Sequence, residues 1–222
     1  MNRCTGLLLS RWRLEKGSLT PADADFIGRN IAKAQLACGD AVLVGHGRYH
    51  WSCQERHRRL TELAQKQGVD CLAEVLHHHE EGTAFKLHPG QTAYLPEALA
   101  AKLEEVSALA CRCWLWLEGR RLGVPFPDTR AYATSACDKC PGTSPWRNLL
   151  LNQRVNGLLA YPPAGSLRHP RQRILHVLPL LLWEPETLTN PELKRRLAAE
   201  LNLPSDLPAW RDAYLKLWGR VR

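Results

Sequence analysis

The chain has no apolar run long enough to cross a membrane. Its most apolar stretch, residues 174–183, is interrupted by His176 and Pro179 and is about half the length a spanning helix needs. The short apolar run near Met1 is too brief for the core of a secretory signal. Runs of alternating apolar and polar residues are also missing, which argues against a sheet. No internal repeat or low-complexity tract appears, which sets aside solenoids and tail-like segments. Acidic residues are in deficit, with 22 Asp and Glu against 30 Lys and Arg, a net charge of +8. Such an excess favours an anionic partner: nucleotide phosphate, nucleic acid or an acidic protein surface. The eight cysteines fall mostly within apparent helices instead of a compact loop framework. That pattern points to a reducing compartment, and the chain reads as cytoplasmic with no membrane partner.

What is present is helical periodicity. The 222 residues suffice for a sizeable core, and the expected fold is all-α, a multi-helix bundle with a short helical C-terminal extension. Residues 1–20 read as a basic lead-in, with LLLSRWRLEKG resembling the end of a helix left over from a preceding domain. The bundle is expected over residues 21–186 and the extension over residues 187–222. A first helix starts at SLTPADAD, and Gly45 and Gly47 break it. A capping box at Ser52 and Glu55 opens the next, which runs towards Gly68. A shorter helix, 69–81, is expected to stop at Gly82, with a loop after it that contains Lys86 and His88. Pro96 opens the longest helix, which ends near Gly123. Residues 124–143 read as loop. Further helices are expected from Ser144, over residues 170–183 with a kink at Pro179, from Asn190 and from Ser205.

Function is most legible in residues 28–59. Six Lys and Arg and three His stand there against only Asp40 and Glu55, with Tyr49 and Trp51 interleaved. In the helix, Ile27, Ile31, Ala34, Cys38 and Ala41 form one apolar stripe. Arg29, Lys33, Ala37 and Asp40 form a neighbouring stripe at the same period, so their polar groups project along one edge. Arg48, Tyr49 and His50 occupy the turn that follows, and Arg56 lies in the first turn of the next helix.

The matched positions Lys33, Leu36, Gly39 and Asp40, then Gly47, Tyr49, Ser52, Glu55 and Arg56 in a G-x-Y-x-x-S-x-x-E-R segment, resemble the helical C-terminal region of bacterial nucleotidyltransferase-fold proteins. WLWLEGRRLG at 114–123, NLLLNQRVNG at 148–157 and RHPRQRILHVLPLLLWE at 168–184 extend the resemblance over most of residues 25–185. It implies a helical domain that packs on a catalytic α/β domain and turns a polar helix edge to the nucleotide cleft. Arg29, Lys33, Asp40, Arg48, Tyr49, His50 and Arg56 are then the expected contacts to nucleotide or phosphate, with Lys as a point charge, Arg as a bidentate donor and Tyr as a stacking face. The catalytic half of that family holds metal with paired carboxylates after a Gly-Ser turn. Gly17-Ser18 and Gly165-Ser166 have no D-x-D after them, and Asp23 and Asp25 belong to a helix start. The chain therefore reads as an accessory or substrate-binding domain without catalytic residues of its own. Mg²⁺ and a nucleoside triphosphate are implied only together with a catalytic domain or subunit supplied elsewhere.

Three other constellations stand out. Arg130, Lys139, Arg147, Arg154, Arg168, Arg171 and Arg173 share a window with Asp138 as the only acid, and Tyr132, Trp146 and Tyr161 are interleaved. This mixture suits single-stranded nucleic acid and gives the alternative reading, a basic nucleic-acid-binding module or a zinc-containing subunit of a larger assembly. Cys137 and Cys140 form a C-x-x-C half-site for zinc that needs two more ligands. His77 and Glu81 stand at metal-chelating spacing but read better as a solvated helix end. Arg171 and His176 resemble the R-x4-H motif of HEPN ribonucleases, although a histidine in so apolar a run reads better as core.

Overall fold

The computed structural model describes residues 1–66, 71–88, 95–156, 167–204, 206–207 and 209–221. Among them every regular element is helical, as the periodicity predicts. None of these helices is long and apolar enough to cross a membrane. The chain divides into two compact units, residues 1–126 and 127–222.

The first unit is built around α2 (Pro21–Gly45), which packs against α1 (Asn2–Leu14), α3 (Cys53–Lys66), α4 (Leu72–Leu87) and α5 (Pro96–Leu122). Helix α2 opens with a full capping box. The Thr20 hydroxyl accepts from the Asp23 backbone N–H, and Asp23 accepts from that of Thr20. Its expected stripe is buried at Ile27, Ile31, Ala34 and Cys38, with about 2 kcal/mol from each large aliphatic side chain removed from water. It ends where Gly47 adopts φ 67°, a left-handed turn that a glycine makes without steric cost.

Two boundaries differ from the sequence reading. The N-terminal residues form a helix whose Leu7, Leu8 and Trp12 are buried against α2 and α5, so they belong to the first unit and are not a lead-in. Gly82 does not stop α4. A methyl group there would lie 2.9 Å from the Ala32 carbonyl oxygen and 3.0 Å from Leu36 Cγ. The glycine lets α4 lie close on α2, and the helix continues to Leu87. Phe85 and Lys86 are thereby helical.

In the second unit α8 (Arg171–Trp183) packs with α6 (Thr129–Thr134), a 3-10 turn (Pro185–Leu188), α9 (Pro191–Leu201) and α10 (Trp210–Val221), while α7 (Pro145–Asn156) touches α10. Helix α6 lies in the expected loop and is capped by the Asp128 carboxylate on the Ala131 N–H, 2.6 Å. The division falls after Phe126 and not at the expected boundaries 20 and 186, and within the second unit α8 packs with α9 and α10. The expected helix stops at Gly68 and Gly157, the expected start at Ser205 and the YPPAG break lie outside the described residues.

Candidate functional site

The edge of α2 predicted from its spacing faces a cavity in the first unit. Arg29, Lys33, Ala37 and Asp40 all line it, as do Tyr49 and Trp51 from the turn before α3, Arg56 from the first turn of α3, Arg3 from α1, and Phe85 and Lys86 from the end of α4. The cavity encloses about 550 Å³, within the range of roughly 300–1,000 Å³ typical of small-molecule sites. Five cations and one carboxylate surround it. Trp51, 81% exposed, and Tyr49, 49% exposed, offer aromatic faces at the mouth.

The cations differ in how far they are already engaged. Arg29 pairs with Asp25 one turn earlier, at 2.8 Å. Arg56 is only 6% exposed. It donates from Nη1 to Asp40 Oδ1 at 2.6 Å and from Nη2 to Cys53 Sγ at 2.9 Å. Its Cζ sits 5.5 Å from the centre of the Tyr49 ring, a cation–π distance. Burial pushes the Asp40 carboxyl up from its usual value, against the pull of Arg56. Arg3 and Lys33 are exposed and have no ion-pair partner among the described residues.

Lys86 Nζ donates to Cys53 Sγ at 3.0 Å. Burial raises the Cys53 thiol, but the bonds from Lys86 and Arg56 outweigh it and leave the group below its usual range. His79, fully buried, stacks on His57 with ring centroids 6.1 Å apart. Neither of its ring nitrogens finds a hydrogen-bond partner among the described residues. Burial, then Arg56 and His57, push it down to about 4.

Two of the seven expected contacts do other work. Arg48 pairs with Glu62 at 2.7 Å, and the His50 ring accepts from the Ser52 N–H at 3.1 Å. Arg59 donates to the carbonyls of Arg48 and Tyr49. These bonds hold the turn that presents Tyr49 and Trp51, and neither Arg48 nor His50 lines the cavity. Sequence reasoning missed Arg3, because α1 was not expected to be part of the unit, and it missed Phe85 and Lys86, because Gly82 read as a stop.

The basic window of the second unit is only partly exposed. Lys139 is 1% exposed, bonded to Ser135 Oγ at 3.0 Å and 4.7 Å from the Tyr132 ring centre. Burial pushes its amine down to about 8. Arg130 pairs with Glu192, and Arg168 and Arg171 donate to the carbonyls of Ala136 and Val221. Arg173 is half-buried. Arg147 and Arg154 are exposed on α7 beside Trp146, which is 75% exposed. Arg171 and His176 do not converge either. His176 is buried and bonded to Glu200 at 2.6 Å, while Arg171 is exposed. Cys137 contacts Ser135 Oγ at 3.1 Å, and among the described residues no group of three or more His, Cys, Asp or Glu side chains is placed to hold a metal. His77 Nε2 lies 3.6 Å from Glu81 Oε1.

No protein-family model, curated protein or solved structure matches the chain.

Proposed function

We propose that the first unit binds a phosphate-bearing nucleotide in this cavity, as the helical substrate-binding or accessory part of a nucleotidyltransferase-like system in a reducing, cytoplasmic setting. The observation that carries this reading is the meeting of a cationic helix edge with exposed aromatic rings around one cavity of nucleotide size. Lys33 and Arg3 are disposed to take phosphate oxygens, since their charge is not spent on an acid. Arg56 is held rigidly by Asp40 and Cys53, so little side-chain entropy is lost on binding. Trp51 and Tyr49 supply faces for a base. Transfer chemistry needs a partner that brings metal-holding carboxylates, and Mg²⁺ would enter with that partner. Calorimetric titration of the full chain tests the binding claim. A nucleoside triphosphate is expected to bind at least about tenfold more tightly than the matching nucleoside, because charge-assisted contacts to phosphate contribute roughly 1.5–3 kcal/mol each. Equal affinity for the two would refute it.

A second reading is favoured by one feature of the other unit. Trp146, Arg147 and Arg154 are exposed together on α7, a combination suited to stacking on and neutralising single-stranded nucleic acid.

A further inference from the structure

We propose that Cys53, bonded to two of the cations that line the cavity, is a reversible thiol-modification site beside it, taking a low-molecular-weight disulfide that carries carboxylates. The inference rests on the reading of the cavity as an anion site, but not on the anion being a nucleotide.

Cys53 differs in its surroundings from Cys4, Cys38, Cys71 and Cys113, and its cationic donors lie closer than the Lys139 Nζ that is 3.9 Å from Cys137 Sγ. Cys4, Cys38 and Cys113 are buried, and burial pushes the Cys4 thiol up. Cys71 and Cys113 are raised chiefly by thiol hydrogen bonds, Cys71 to Cys113 and Cys113 to Cys38. Cys53 is half-buried and receives two charged donors, Lys86 Nζ at 3.0 Å and Arg56 Nη2 at 2.9 Å. It also opens α3, where the helix dipole adds positive potential. A partly exposed thiol among cations is the environment in which thiolates form and react.

A second observation concerns Arg56, which links the thiol to the cavity. Arg56 lines the cavity and is more than nine-tenths buried, and its Nε has no hydrogen-bond partner among the described residues. A buried donor left unpaired is costly, and a carboxylate arriving at this wall would give it an acceptor. Arg3, Arg29 and Lys33 extend the positive field along the approach.

The step balances without a further oxidant. The ionised Cys53 sulfur attacks one sulfur of the disulfide, the reagent's S–S bond breaks, and a mixed disulfide forms at Cys53. The other half leaves as a thiolate and takes up the proton that Cys53 released to solvent. The adduct then sits beside Lys86 and Arg56 and competes for the cavity.

The test treats the full wild-type chain with oxidised glutathione, an anionic disulfide, or with cystamine, a cationic one, and follows each cysteine by peptide mass mapping. Cys53 is expected to react at least about tenfold faster than any other cysteine with the anionic reagent, and faster with it than with the cationic one. Lys86→Met should remove much of that rate, and reduction should restore the free thiol. The proposal is overturned if Cys53 reacts no faster than the other cysteines, or if the cationic reagent matches the anionic one there. Nucleotide binding is read separately by calorimetry. Selective thiolation without nucleotide binding sinks only the nucleotide reading, and nucleotide binding without selective thiolation sinks only this one.

Discussion

His79 should make the first unit sensitive to acid. In the unfolded chain a histidine titrates near its ordinary value of about 6.5, whereas burial holds His79 down to about 4. Between those values the unfolded state binds more protons, so stability falls as pH drops through the window. The cost from this residue is about 2 kcal/mol at about pH 5, and about 3 kcal/mol once both forms are protonated. That is a large fraction of the roughly 5–15 kcal/mol that holds a typical domain. His79→Leu removes the titrating group and the two unpartnered ring nitrogens while keeping most of the volume packed against Gly39. His46, His78, His169 and His176 are also depressed by burial and act in the same direction, so the difference between wild type and variant is the informative quantity. Urea unfolding of both proteins at about pH 7.5 and about pH 5 should show the variant losing about 2 kcal/mol less on acidification. NMR titration of the ring signals should show His79 unprotonated well below its ordinary range. An equal acid loss in both proteins, or a His79 signal that titrates near 6.5, would refute the reasoning.

Gly82→Ala is expected to destabilise the first unit by about 1–2 kcal/mol, because overpacking against the Ala32 carbonyl and Leu36 outweighs the roughly 1 kcal/mol gain in helix propensity. A raised melting temperature would contradict the close packing of α4 on α2. If α7 carries nucleic acid, single-stranded oligonucleotide binding should weaken steeply with salt, and the double substitution Arg147→Ala and Arg154→Ala should flatten the salt slope by about 1–2 units. An unchanged slope would dismiss that surface.

The helical fold and the cavity edge were legible because one period governs both. The spacing that buries Ile27, Ile31 and Cys38 necessarily sets Arg29, Lys33 and Asp40 on an adjoining face. The rest depended on partners that sequence does not reveal. Gly82 looks the same whether it ends a helix or admits a neighbouring one, and only the approach of Ala32 and Leu36 distinguishes the two. The first helix has no side-chain cap at Met1, so its start carried no signal, and Arg3 went with it. Lys139 counted as a surface cation because charge does not report burial; Tyr132 and Ser135 enclose it. Cys53 was one cysteine among eight until Lys86 and Arg56 were placed beside it.

The central claim is that the cationic edge of α2 holds phosphate. Lys33 tests it best, being exposed and without an ion-pair partner among the described residues, so its loss should leave the fold unchanged. Titration of a nucleoside triphosphate into wild type and Lys33→Ala should show saturable binding that weakens about tenfold or more in the variant, with both proteins melting alike. No binding by the wild-type chain, or equal affinity in the two proteins, would contradict the account.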